Sequence, residues 1–458
     1  MRKYILTLLI LSVNYIHAQT STASSGEGAM KISLKQAVDY AMANNGELKK
    51  SKIDVLITKE TVKQTIAIGL PQVTLSAGLN YFVTVPGQWI ANAFGQPGQG
   101  PDYIFLQFQQ KVASSGTLAV NQLIFDGSYI IGLKATKEFL NMSKLLEAKS
   151  NYDVQVNVSK AYLLVASTKM SLDLLRANIK VLSKSLSDIT ALNKEGFTED
   201  LDVKRVKLAL SNLTVQEQKL VHAISTLTNV LKVQMGLPVS TVVELTDDIE
   251  TIDKNMATTG YENSKFNASL RPEYSILNQS IKLGELDKRR YKMGYVPQLF
   301  GFYQHQEATQ RPEFNFFKSN LTPNNNWVPS DLVGLQFQWK IFDGLSGASK
   351  IREVQYKIDK AKVDLETFAN ASELEFINAK ATFELQLKQA AVQKENMDLA
   401  KEIYEKSNLK FNEGVGSSLE IVQAETELKT AQNNYLNSVY DLVIAKIEYY
   451  KSIGKPLN

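Results

Sequence analysis

The stretch VSKAYLLVASTKMSLDLLRANIKVLSKSLSDITALNKEGFTEDLDVKRVKLALSNLTVQEQKLVHAISTLTNVLKVQM, residues 158–235, decides the fold. Going out, Val158, Ala161, Val165, Thr168, Leu172, Leu175, Ile179, Leu182, Leu186 and Ile189 step by three and four. Coming back, Val203, Val206, Leu210, Leu213, Glu217, Leu220, Ile224, Leu227 and Leu231 keep the same step. Held over so many turns, that step keeps one seam against a partner helix, which is coiled-coil packing. The pattern predicts a helical hairpin from Gly127 to Met235, bent once at Glu195-Gly196-Phe197-Thr198. Its outgoing limb contains no Pro, and its one internal Gly, Gly132, lies near the start. At 1.5 Å per residue, a limb of about 68 residues makes a rod of roughly 100 Å. A compact domain has no room for it, so the molecule is long in one direction.

Upstream of the hairpin, a strand from Thr117 to Phe125 enters it through Asp126-Gly127. Before that strand lies a loop, 86–116, rich in Gly, Pro and Gln and carrying Trp89, Phe94, Tyr103, Phe105 and Phe108. Earlier still, over about 71–85, Val73, Leu75, Ala77, Leu79, Tyr81, Val83 and Val85 alternate with a mostly polar set. Alternation with period two predicts a strand with one apolar and one polar face. Helices from Ser33 to Asn44 and from Glu47 to Ile68 precede it, stopped by Gly69-Leu70-Pro71.

Downstream, Gly236-Leu237-Pro238 closes the hairpin and a polar segment, 240–270, follows with Asp247-Asp248-Ile249-Glu250. From Arg271-Pro272 the pattern starts again. A helix to Gly294, a strand over about 298–306 and an aromatic-rich loop lead to an alternating strand over about 332–342. Asp343-Gly344 then opens a long helix from Leu345 to Phe411. The chain bends at Glu413-Gly414-Val415-Gly416 and returns from Ser417 to Tyr450.

The two halves superpose by residue identity. Ile124-Phe125-Asp126-Gly127 recurs as Ile341-Phe342-Asp343-Gly344, Glu195-Gly196 as Glu413-Gly414, and Gly236 and Pro238 as Gly454 and Pro456. A near-constant offset carrying the same breaker residues marks a duplication of one unit, 33–239 and 271–458, with 240–270 between them. In each copy the short helix before the first strand plus the return helix nearly equals the single long helix. Two helices stacked end to end beside one would give a rod of even thickness, with strands at one end and both bends at the other.

Composition narrows the function. The net charge is only +4, and no basic block interleaved with aromatics appears, so nucleic acid is not an expected partner. The absence of cysteine removes disulfides, thiolate metal sites, cysteine catalysis and N-terminal lipidation. Arg2 and Lys3 before an apolar run from Tyr4 to Val13 predict a secretory signal over 1–18, cut after Ala18, with a flexible lead over 19–32. No later segment reaches the ~20 apolar residues a membrane helix needs. Beyond the signal the only histidines are His222 and His305, far apart, and no phosphate loop or nucleophile motif is present. The expectation is a protein that is not an enzyme and holds no metal or cofactor.

Four amphipathic strands cannot close a barrel, since small closed barrels begin at about eight. An open edge in lipid leaves backbone groups unsatisfied at several kcal/mol each, so strands that meet a membrane must be pooled by several chains. Aromatics near strand ends, Tyr81, Phe82, Phe125, Trp339 and Phe342, fit the two interfaces of a membrane barrel.

With its duplicated Phe-Asp-Gly turns and Glu-Gly tips, and with Asn412 to Ala424 as the most telling piece, the chain resembles the TolC family of outer membrane efflux proteins. The resemblance covers Ser33 to Pro456. It implies an α+β membrane protein: duplicated long helical hairpins forming a periplasmic α-barrel, and four strands per chain joining a trimeric 12-stranded transmembrane β-barrel. It also implies a homotrimer in outer membrane lipid, serving a periplasmic adaptor and an inner-membrane pump as the exit duct of an efflux or secretion system. In the family, acids just past the second tip ring the closed entrance. The matching positions here are Glu420, which keeps the acid, and Gln423, which does not; their first-repeat counterparts are Asp202 and Arg205. The tips Gly196-Phe197-Thr198 and Gly414-Val415-Gly416-Ser417 are turn residues that the resemblance makes adaptor-docking sites. The competing class is a secreted, elongated coiled-coil structural or adhesion protein with small β-subdomains.

Overall fold

The structure, a computed structural model, describes residues 29–92, 101–255, 265–316, 326–413 and 415–455. The expected signal, the lead up to residue 28, and Gly414 of the second tip lie outside the described residues.

β1 (Met30–Ile32) and α1 (Leu34–Asn44) precede α2 (Gly46–Ala67), which delivers strand β2 (Gln72–Tyr81). A short hairpin of β3 (Gln88–Ala91) and β4 (Tyr103–Leu106) follows. Then β5 (Val112–Phe125) runs into α3 (Gly127–Lys194) and α4 (Asp200–Met235). After β6 (Val243–Leu245) and α5 (Ile249–Asn255), the second unit comprises α6 (Pro272–Met293), β7 (Gln298–Arg311), β8 (Val328–Gln338), α7 (Ser346–Asn412) and α8 (Ser418–Ser452). The main sheet is antiparallel in the order β2-β5-β7-β8, while β1 and β6 form a separate parallel pair.

Several strand limits differ from those expected. β5 begins at Val112, not Thr117, and β7 runs on to Arg311 instead of stopping at residue 306, because the two form one continuous ladder from Val112↔Arg311 inward. Ser114, Ser115 and Gly116 look like loop residues in isolation, but pairing with β2 on one side and β7 on the other satisfies their backbone groups. β2 stops at Tyr81, and the loop expected over 86–116 contains the β3–β4 hairpin. β8 spans 328–338, so Trp339 and Phe342 fall beyond it, in the turn into α7. The expected flexible lead does not reach Met30–Ile32: Ile32 is buried, and its carbonyl accepts from the Tyr162 hydroxyl at 3.0 Å.

The expected stacking of short helices is present in both units. The Asn45 Oδ1 accepts from the N–H groups of Glu47 (2.8 Å) and Leu48 (3.2 Å), capping α2, while its Nδ2 donates to the carbonyl of Gln234 near the end of α4. α2 and α4, 22 and 36 residues, therefore meet end to end beside the 68 residues of α3. α6 and α8, 22 and 35 residues, likewise flank the 67 of α7, with Gly454 against the Leu270 carbonyl at the joint. The long helices start on their aspartates: Asp126 Oδ1 accepts from the N–H groups of Ser128 and Tyr129, and Asp343 Oδ2 from that of Gly347.

The seam is buried where the spacing places it. Leu175, Leu182 and Ile189 of α3 pack with Val206 and Leu213 of α4, and the same core takes Tyr404 and Phe411 of α7 and Ile421, Ala424 and Leu428 of α8. Seven-residue spacing on both partners is knobs-into-holes packing. Near the strands, α2 packs on α3, α3 on α6 and α6 on α7. That lateral order, α2-α3-α6-α7, repeats the order of the strands they carry.

Candidate functional site: a two-faced sheet and two helix tips

Residues paired across an antiparallel ladder share a face. One face therefore collects Val73, Leu75, Leu79 and Tyr81 of β2, Leu118 and Val120 of β5, Tyr303 of β7, and Val333, Leu335 and Phe337 of β8. The other collects Thr74, Ser76 and Asn80, then Thr117 and Asn121, Gln304 and Gln306, and Gln336 and Gln338. The apolar side is bare: Leu75 and Val333 are each 79% exposed. Among the described residues both outer strands, β2 and β8, have one unpaired edge.

The five aromatics expected at membrane interfaces separate into two levels. Tyr81 and Phe82 sit at the end of the sheet away from the helices. Phe125, Trp339 and Phe342 sit at the helix end, where the Trp339 Nε1 donates to the Tyr295 carbonyl at 3.0 Å.

At the first tip Gly196 takes φ +80°, the left-handed value that favours glycine, and the Phe197 N–H donates to the Leu192 carbonyl at 2.9 Å. Asn193 Nδ2 donates to the Thr198 carbonyl at 2.7 Å, which closes the bend. At the second tip the N–H groups of Val415 and Gly416 both reach the Lys410 carbonyl at 3.1 Å, and Ser417 caps α8 by accepting from the Glu420 N–H. Each apex thus presents one bare apolar side chain, Phe197 at 78% and Val415 at 79% exposure.

Glu420 is exposed on the first turn of α8 and carries no ion pair among the described residues. Gln423, also exposed, turns to Glu427, its Nε2 donating to Oε1 at 3.2 Å. At the matching place on α4, Arg205 Nη1 lies 3.6 Å from Asp202 Oδ1, so that acid is partly neutralised by its neighbour.

Three features escape a linear reading. Glu425 of α8 and Tyr404 of α7 are buried, and among the described residues neither Glu425 Oε1 nor the Tyr404 hydroxyl has a hydrogen-bond partner. Burial pushes the Glu425 carboxyl above its ordinary pKa, with Lys429 opposing. Arg271, at the start of the second unit, is buried and pairs with Glu375 of α7. Tyr303, His305 and Asp331 meet across β7 and β8. The first had a signal, an acid beside the seam positions Ile421, Ala424 and Leu428; the other two depend on register and docking between distant segments.

No helix among the described residues is long and apolar enough to cross a membrane. Residues 298–455 match the outer membrane efflux protein family. The solvent efflux pump outer membrane protein SrpC of Pseudomonas putida is 22% identical over 313 residues, covering 65% of this chain and 61% of that relative, so the match spans less than two thirds of SrpC. Among solved structures, the outer-membrane channel OprN superposes with TM-score 0.68 at 14% identity, over 93% of this chain and 90% of that one. The outer membrane protein VceC of Vibrio cholerae gives TM-score 0.68 at 11% identity, over 93% and 97%. In fold the chain is similar to these outer-membrane channels, and over residues 298–455 its sequence matches the outer membrane efflux protein family.

Proposed function

We propose that this chain is the outer-membrane channel of a tripartite efflux or secretion system. Three copies pool their sheets into one twelve-stranded barrel, and their helices continue it as a duct across the periplasm. The observation that carries the proposal is the shared lateral order of strands and helices, open at the same two margins. β2, α2 and α4 leave one margin unsatisfied, and β8 and α7 the other. Bare apolar side chains line both: Ile53 and Ile57 of α2 and Leu208 and Val215 of α4, against Tyr356, Val363 and Leu385 of α7. Joining unlike margins around an axis closes a ring, and closure removes every sheet edge. The sheet's apolar side then meets acyl chains and its glutamine-rich side lines the lumen, the alternation of a transmembrane barrel. A soluble adhesion rod with small sheets would leave Leu75, Val333 and Leu335 in water. Relatives named as efflux-pump outer membrane proteins support the same assignment.

The duct is passive: an inner-membrane pump, reached through a periplasmic adaptor, supplies the substrate. The apices Phe197 and Val415 offer the adaptor its apolar contacts. Fractionation tests the whole. The protein should require detergent for extraction and run as a trimer until heated; a monomer that stays soluble without detergent excludes the channel.

Glu420 contributes a ring of three carboxylates to the entrance, attracting cations and repelling one another. With Gln423 one turn on and Asp202 held by Arg205, Glu420 is the main charge of that ring. Glu420→Gln should lower the cation preference of single channels in planar bilayers; unchanged selectivity and conductance would remove Glu420 from the pore.

A further inference from the structure

On the apolar face of β8, Phe337, Leu335 and Val333 form an unbroken series that stops at Asp331. On β7 the residues sharing that face are Leu299, Gly301, Tyr303 and then His305, directly opposite Asp331. There the Tyr303 hydroxyl donates to Asp331 Oδ1 at 2.7 Å, and His305 Nδ1 lies 2.9 Å from the same oxygen. Oδ2 of Asp331 has no hydrogen bond among the described residues. Two strands thus gather three polar groups at one level, and the part of the face that β7 and β8 form below them is carbon. Above them β7 continues the same face with Glu307, Thr309 and Arg311, while β2 carries Leu79 and Tyr81 at those registers.

The level is the informative part. Trp339, tied to the Tyr295 carbonyl, marks the helix end of the apolar series. The roughly eight residues from Trp339 to Asp331 rise about 21 Å at 3.4 Å per residue and a strand tilt near 40°, close to the ~25 Å apolar band of a membrane barrel. A carboxylate among acyl chains is costly, so ionisable groups mark where the band ends.

We propose that Tyr303, His305 and Asp331 form a lipid-headgroup contact at the outer rim of the apolar band, and that this contact fixes the depth at which the sheet sits. Tyr303 and His305 hold one oxygen of Asp331, and the other is left to accept from a headgroup ammonium. The contact rests on the channel assignment, and its test separates the two.

The chain has no cysteine, so single spin labels can be placed without background. Labels at Leu335, Val333 and Pro329, all on the apolar face, would be read in liposomes of phosphatidylethanolamine and phosphatidylglycerol by their accessibility to oxygen and to a nickel chelate. Leu335 should lie in hydrocarbon and Pro329 in the polar layer. Asp331→Leu should then move the Val333 label about 5 Å toward the bilayer centre, two residues of rise at the tilted pitch, whereas Asp331→Asn should leave it in place. A Pro329 label in hydrocarbon, or an unmoved Val333 label in Asp331→Leu, overturns the headgroup contact alone. A water-exposed Leu335 label overturns the channel assignment, and the contact with it. If Asp331→Leu fails to assemble, the Leu335-to-Pro329 profile of the otherwise unaltered chain decides.

Discussion

Gly236→Ala should open the joint at which α4 hands over to α2, with a loss of about 2–5 kcal/mol in unfolding free energy. Two costs combine. Gly236 holds φ +78°, a left-handed conformation that costs a side-chain-bearing residue roughly 1–2 kcal/mol. In addition, an added Cβ would stand 2.4 Å from the Asn44 carbonyl oxygen and 2.8 Å from its carbon. Those are backbone atoms, so no side chain can swing aside; α4 must retreat from the α1–α2 turn, at about 1–3 kcal/mol for overpacking. The retreat also pulls Gln234 from the Asn45 amide. Gly454, at φ +68° and with its Cβ position 2.6 Å from the Leu270 carbonyl oxygen, should respond in the same way. Gly46 is the control: it is helical, nothing lies within 4 Å of an added Cβ, and alanine there should be neutral or mildly stabilising. Denaturant midpoints of the three variants decide, and a Gly236→Ala as mild as Gly46→Ala would mean that the joint is not tightly packed.

Glu425→Leu should stabilise the tip half of the hairpins, and by more at pH 8 than at pH 5. The carboxyl is 5% exposed in a core of Leu, Ile, Val and Ala side chains, with Tyr404 beside it from α7 and Lys429 one turn on along α8. Burial is the first cause that raises Glu425, and Lys429 opposes it without reversing it. Because the folded chain holds this proton more tightly than the unfolded chain, stability declines as pH climbs from the ordinary carboxylate range through the raised value. Below that window the group is neutral in both states and carries no such penalty. Removing the unpaired acceptor should itself return about 1–3 kcal/mol. Glu425→Gln should abolish the pH-dependent part while keeping the polar cost. Unfolding midpoints from pH 5 to pH 8 provide the check, and parallel slopes for the native and glutamine proteins would show that Glu425 is solvated.

Most of the architecture is legible because it depends on local periodicity. Val158 to Ile189 step by helical spacing whatever surrounds them, Pro71 and Pro297 stop helices by their own covalent structure, and Val73 to Tyr81 alternate with no help from neighbours. What is hidden depends on pairing. Ser114, Ser115 and Gly116 become strand because Leu79, Gly78 and Ala77 lie opposite on one side and Thr309, Ala308 and Glu307 on the other. Trp339 continues the alternation of β8 and Phe342 breaks it, and both belong to the turn that Asp343 organises. The tips read correctly as turns because Gly196 and Gly416 announce them, yet sequence gives no exposure, and the bare Phe197 and Val415 emerge only with the bend. The Tyr303–His305–Asp331 cluster needs the register of β7 against β8, which a one-residue slip would reverse. Glu425 was within reach: continuing the seam of the first unit into the second places an acid where packing demands carbon.

The two unsatisfied margins also bear on how the protein matures. Under the proposed channel assignment a single copy has no resting form of its own, since either margin left open in a bilayer strands backbone groups without water. On that assignment, entry into the membrane and encounter with two companions would be a single event. A copy damaged along one margin alone would still recruit healthy partners through the other and strand them, so such lesions would be felt beyond the chain that carries them.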